Sequence, residues 1–160
     1  MGTNSPATIG PLSDHPPALP VVARWIWETW GTKTYEETVA SLDDPENCPP
    51  TLIALASGRP VGVVGFGRFR RADDTVETLW INALYIVESE RSRGLGSQLL
   101  AAAIGLAGSW VEELYVYTDV PTWYEHRGWT AIESTDGVTV LRRPLSRPDQ
   151  HHVRNRVGDS

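Results

Sequence analysis

The chain has 160 residues, of which 41% are hydrophobic and 21% charged, with a formal net charge of −6, the balance of one soluble globular domain with a single core. The acidic excess, with a pI near 5.1, argues against nucleic acid or an anionic membrane as the main partner. The single Cys48 excludes an internal disulfide and suits a reducing cytoplasm, and the four histidines at 15, 126, 151 and 152 lack metal-ligand spacing, so no metal site is expected.

No basic segment followed by an apolar core opens the chain, so no signal peptide is read and a cytoplasmic protein is expected. Residues 1–6 read as a polar tail, and Ala7–Leu12 as a short edge strand weakened by Gly10 and Pro11. Asp14 is the expected cap of a helix that takes Pro16 and Pro17 in its first turn and stops at Gly31. Val22, Trp25, Ile26 and Trp30 share its apolar face; Trp27 lies off it, lining a cleft or packing under a loop. Thr34 followed by Glu37 is a capping box for a second helix ending at Leu42.

After a proline-rich loop, Thr51–Ala56 and Val61–Phe69 read as two strands of a hairpin joined by Ser57-Gly58-Arg59-Pro60. Gly62, Gly65 and Gly67 leave the second strand bare, which points to a bulge or a close ligand. A charged turn over 70–77 leads to a buried strand, Trp80–Val87. The turn Glu88-Ser89-Glu90 and the run Arg91-Ser92-Arg93-Gly94-Leu95-Gly96-Ser97 precede a Leu- and Ala-rich helix, Gln98–Leu106. Val111–Thr118 is a further strand and Thr122–Arg127 a short helix closed by Gly128. Trp129–Glu133 and Val138–Arg142 form a hairpin about Asp136-Gly137, and from Ser146 the chain is a polar tail. One domain over residues 7–145 is expected. Its fold class is mixed α/β: a mostly antiparallel sheet of six to seven strands, with one βαβ crossover and helices on both faces.

The segment from Arg91 to Ser97 carries the first chemical signal. Gly94 and Gly96 clear the approach to a helix start, where unpaired N–H groups and the positive end of the helix dipole meet. Arg91 and Arg93 add charge, so the segment suits a phosphate or pyrophosphate. It also suits an ordinary tight turn with solvated arginines. The nucleotide-binding P-loop pattern is absent, and Leu99 stands where a dinucleotide fingerprint has its third glycine.

Arg91-Ser92-Arg93-Gly94-Leu95-Gly96 matches the Gln/Arg-x-x-Gly-x-Gly/Ala pyrophosphate motif of the GNAT superfamily of acyl-CoA N-acyltransferases, which this chain resembles from about Leu12 to Leu145. The strand entry Leu84–Glu90 is similar too, with Ser89 where many members have proline. Trp123-Tyr124-Glu125-His126-Arg127-Gly128-Trp129 is similar to the family's Phe-Tyr-x-x-x-Gly-Phe segment.

The resemblance implies an enzyme with acetyl-CoA as co-substrate and an amine as acceptor, with homodimers common in the family. It places the pyrophosphate on the amides from Arg93 to Ser97 and the pantetheine arm along Tyr85, Ile86 and Val87, where the family's sheet splays open. An N–H at Ile86 or Val87 then polarises the thioester carbonyl. Tyr124 matches the tyrosine that protonates the departing thiolate; a phenol, with a reference pKa near 10, stays protonated at neutral pH. Packing against Trp123 and Trp129 is its other reading.

The general base is open. Where some relatives carry a strand Glu, this chain reads Trp80-Ile81-Asn82; Asn82 can orient a water but takes no proton itself. Asp119 caps a turn, contacts the amine or acts as base, in that order; Glu77 and His126 read as surface, and Arg68, Arg70 and Arg71 as a solvated run. Three acceptors stay open: a small amine (polyamine, aminoglycoside-like or amino-acid-like), a protein N-terminus or a lysine. A non-catalytic acyl-CoA sensor is the remaining alternative.

Overall fold

The computed structural model describes residues 7–46, 49–70 and 77–145. The readings of both tails, of Cys48 and of Arg71 therefore lie outside the described residues. The strands β1 (Thr8–Pro11), β2 (Leu52–Ala56), β3 (Arg59–Phe69), β4 (Thr78–Ile86), β5 (Glu113–Thr118), β6 (Thr130–Thr135) and β7 (Val138–Pro144) join in one mixed, mostly antiparallel sheet ordered β1-β2-β3-β4-β5-β7-β6. Four helices accompany them: α1 (Leu19–Trp30), α2 (Tyr35–Leu42), α3 (Leu95–Ala107) and α4 (Pro121–Glu125). The fold class read from the sequence holds.

By compactness the chain divides into Met1–Phe66 with Ala83–Ala103, and Gly67–Asn82 with Ile104–Ser160. In the first unit β1 and β2, and β2 and β3, pair antiparallel, and a register shift at Ala54/Leu55 bends the hairpin. Its turn is tighter than the sequence suggested. Ser57 and Gly58 alone turn the chain, at φ 53° and 78°, and Arg59 and Pro60 already belong to β3. Leu12, Ala18, Val22, Ile53 and Val63 make the unit's core, with Trp25, Ile26, Leu42 and Tyr85 packed against it.

Asp14 does not cap α1. It ends a single 3-10 turn, Pro16–Ala18 forms another, and α1 begins at Leu19 without a side-chain cap. The cause is His15-Pro16-Pro17: a residue before proline is pushed out of the α region, which splits the entry into two turns. Gly31 closes α1 in the left-handed conformation, as its position implied. Trp30, expected on the apolar face, is 44% exposed. Trp27 is exposed as well and meets the edge of the Tyr35 ring at 5.9 Å. The capping box of α2 forms in full: Glu37 N–H donates to Thr34 Oγ1, and Thr34 N–H to Glu37 Oε1.

In the second unit β5 pairs parallel with β4 through Trp80↔Tyr115 and Ile81↔Val116, and antiparallel with β7 over its whole length. The β6–β7 hairpin turns at Asp136 and Gly137, φ 55° and 82°, where the sequence placed it. Leu114, Val116, Val140 and Leu141 are buried, and α4 rests on β6 and β7. No helix of the described residues is long and apolar enough to cross a membrane.

Candidate active site

The candidate anion cradle, Arg91 to Ser97, lies in the first unit. After β4 the chain makes one 3-10 turn over Glu88–Glu90 and returns to extended backbone at Arg91. Ser92 and Gly94 are both left-handed, φ 68° and 82°. For Ser92 that conformation costs about 1–3 kcal/mol, a strain of the kind found where a backbone is shaped around a ligand. A side chain at Gly94 would meet nothing within 4 Å. Its glycine serves the backbone angle, and the space before it is open. The first intrahelical bond runs from Gln98 N–H to Gly94 O, so the amides of Leu95 and Gly96 lie within the first turn, before that bond. Leu95, Leu99 and Leu100 anchor this end of α3 in the core.

Arg91 is held in place. Its Nε donates to Ile86 O at 2.8 Å, and its guanidinium lies 5.4 Å from the centre of the Tyr85 ring. One donor secures the side chain to the end of β4, and the residue is exposed, with further guanidinium N–H donors besides that one. Arg93 is exposed.

The two candidate oxyanion donors separate here. Val87 N–H already donates to Val61 O of β3 at 3.0 Å. Strand amides alternate between edges, so Ile86 N–H points to the opposite edge. Ile86 is the donor the geometry leaves. The half-buried Tyr85 ring packs on Trp25 at 5.3 Å. Among the bare positions of β3, Gly62 answers to packing and not to a ligand. A Cβ there would come within 2.8 Å of both Ile86 Cδ1 and Leu99 Cδ1.

The second unit holds the other candidates. Tyr124 on α4 is 5% exposed, set edge-on between Trp123 at 4.9 Å and Trp129 at 5.4 Å. Burial pushes its phenol up to about 12, because the phenolate would lose hydration without a compensating charge. The burial that fixes the ring also keeps its proton. Arg127 braces the element, its Nη1 donating to Trp123 O at 2.7 Å and its guanidinium 3.9 Å over the Trp123 ring.

Asn82 is exposed on β4, two residues beyond Trp80 on the same strand face. Asp119 is exposed, and its expected capping role is not seen. The turn's bond runs from Val120 N–H to Thr118 Oγ1, and α4 starts without a side-chain cap. Two readings of Asp119 remain, contact with the amine and direct base. Glu77, His126, Arg68 and Arg70 are exposed, as read. What the sequence reading missed is an aromatic wall around Trp80. Its ring stacks on Tyr115 at 5.1 Å and meets Phe69 edge-on at 6.4 Å. The alternation of each strand carried that signal, but only the β4–β5 register brings the rings together.

The model of the family described as Acetyltransferase (GNAT) family matches residues 18–129. No curated protein matches the sequence. Among solved structures the chain is similar to N-acetylglutamate synthase from Neisseria gonorrhoeae, complexed with coenzyme A and N-acetyl-glutamate. That match has 19% identity and a TM-score of 0.64, and covers 91% of this chain but only 36% of that one. It is also similar to Arabidopsis thaliana NAA60 in complex with a bisubstrate analogue, at 11% identity and a TM-score of 0.69, covering 89% and 99% of the two chains. Aminoglycoside 6'-acetyltransferase type Ii matches at 19% identity and a TM-score of 0.66, with 88% and 99% covered. Identities this low carry the fold and leave the acceptor undecided.

Proposed function

The chain belongs to the GNAT acetyltransferase family, and from that premise we propose that it transfers the acetyl group of acetyl-CoA directly to a primary amine of a small molecule. The domain that does so spans residues 7–145, in the cytoplasm. The observation that carries the reading is the loop from Arg91 to Ser97, with its left-handed Ser92 and Gly94, open space at Gly94 and Arg91 fixed beside the first turn of α3. This is the shape and charge that a pyrophosphate needs.

In this reading the pyrophosphate sits on the amides of Arg93 to Ser97 and the pantetheine arm pairs with backbone at Tyr85 to Val87. The acceptor nitrogen, as free amine, attacks the thioester carbonyl; the C–N bond forms and Ile86 N–H stabilises the oxyanion. When the C–S bond breaks, Tyr124 gives its proton to the thiolate. The proton lost by the amine leaves through a water oriented by Asn82, since Trp80 and Asn82 take no proton themselves. Asp119 contacts the cationic amine before it is deprotonated.

The lack of a carboxylate at Trp80-Ile81-Asn82 is the one observation that favours a second reading, a sensor that binds acyl-CoA without transferring from it. Free thiol released from acetyl-CoA over a panel of amines, with acetyl-CoA binding measured in parallel, separates the two. Release that depends on one class of amine establishes the transferase; tight binding with no release on any amine establishes the sensor.

A further inference from the structure

Phe69, Trp80 and Tyr115 lie in the second unit, on the neighbouring strands β3, β4 and β5, and form one aromatic cluster. Their polar groups are engaged within it. Trp80 Nε1 donates to Thr78 Oγ1 at 2.8 Å, Thr78 Oγ1 to Phe69 O at 3.0 Å, and the Tyr115 hydroxyl to Glu113 Oε1 at 2.7 Å. What the wall presents is therefore aromatic carbon and not hydrogen-bonding groups, with Trp80 stacked on Tyr115 and Phe69 set at 80° to Trp80. The charges beside it cancel, Glu113 facing Arg142 at 3.9 Å. Phe69 is 50% exposed and Tyr117, two residues on from Tyr115, is 64% exposed.

Gly67 explains how the wall reaches the candidate chemistry. A Cβ there would lie 2.6 Å from Phe69 Cε2 and 3.3 Å from Asn82 Cγ. The missing side chain leaves room for the Phe69 ring over Gly67, a position that Asn82 borders as well. The wall is thus continuous with the residue proposed to orient the deprotonating water. A neutral aromatic surface with a half-exposed ring complements an apolar aromatic ring, which it can meet edge-on or offset, and the ammonium of such a molecule suits the chain's net charge of −6.

Resting on the acetyltransferase reading, we infer that the Phe69–Trp80–Tyr115 wall is the acceptor's specificity surface. It selects small amines that carry a planar aromatic ring next to the aminoalkyl group, and Gly67 acts as the positioning residue that leaves room for the Phe69 ring, edge-on to Trp80. One offset ring contact contributes about 0.5–1.5 kcal/mol beyond its area, so the preference over a flexible alkylamine of equal charge is up to about tenfold.

The test measures binding of 2-phenylethylamine, tryptamine, hexylamine and spermidine to the full chain with coenzyme A present, by the chemical shift of the Trp80 indole N–H, alongside transfer rates. Wild type is expected to bind the two aryl amines about tenfold more tightly. Phe69→Leu and Gly67→Ala are expected to bring the ratio close to one and to raise KM for aryl amines with little change in kcat. Adding Phe69→Leu to Gly67→Ala costs nothing further. Unchanged coenzyme A affinity certifies that each variant is folded. Equal binding of the two amine classes by wild type, or a preference that survives both variants, overturns the inference. Transfer to no amine with the binding preference intact overturns the proposed reaction and leaves the wall as a binding surface.

Discussion

Tyr124 shows how burial and chemistry meet in one side chain. With its phenol at about 12, deprotonation of this residue does not limit turnover below roughly pH 11. The same shift has a cost in stability with a definite sign. Between the unfolded value near 10 and the folded value near 12 the native state holds the proton that the unfolded state has lost, so stability falls as pH rises through that window, by up to roughly 3 kcal/mol. Below pH 10 the term is fully present. Tyr124→Phe should flatten this alkaline fall in denaturant melts and reduce kcat by about a hundredfold or more while acetyl-CoA affinity holds. Turnover equal to wild type would remove Tyr124 from the chemistry.

Glycines at different places in the fold should respond oppositely to alanine. Gly62→Ala forces a methyl against Ile86 and Leu99 and should destabilise by about 1–3 kcal/mol through overpacking. Gly105, in α3, has nothing within 4 Å of a built Cβ, so Gly105→Ala should stabilise by about 0.5–1 kcal/mol through helix propensity. Chemical denaturation of the two variants reads both signs.

At the scale of elements, the short helix α2 depends on its cap more than on length. Eight residues are too few to hold a helix without tertiary packing or capping. Both reciprocal bonds of Thr34 and Glu37 are made, so Thr34→Ala should cost about 1 kcal/mol, measured as a lower Tm with an unchanged denaturant slope. This element was legible because a capping box is local: its donors and acceptors lie within four residues. The entry to α1 was less legible for a related reason. Asp14 has the chemistry of a cap, but Pro16 and Pro17 control the backbone before a cap can act, and local propensities alone do not rank the two effects. Asp119 was misread as a cap in the same way, because Thr118, one residue earlier, supplies the bond to Val120.

For the whole molecule, a co-substrate that binds the folded chain alone raises its stability by mass action, by about 2.7 kcal/mol at a hundred times its dissociation constant. Acetyl-CoA should therefore raise Tm by several degrees. Arg91→Ala should reduce that rise, and added salt should reduce it in the wild type, because the contact is ionic and partly exposed. A Tm insensitive to acetyl-CoA would count against the cradle.

By itself the sequence determined the strand and helix order, the glycine turns at Gly58 and Gly137, the cradle from Arg91 to Gly96 and the family those motifs identify. All of these follow from patterns confined to a few neighbouring residues. Tertiary structure decided the rest. It engaged Val87 N–H with β3, it assigned Gly62 to packing, and it buried Tyr124 and pushed its phenol up. It also joined Phe69, Trp80 and Tyr115 into one surface, since strand register, which sets which side chains meet, is a property of pairing between segments far apart in the chain.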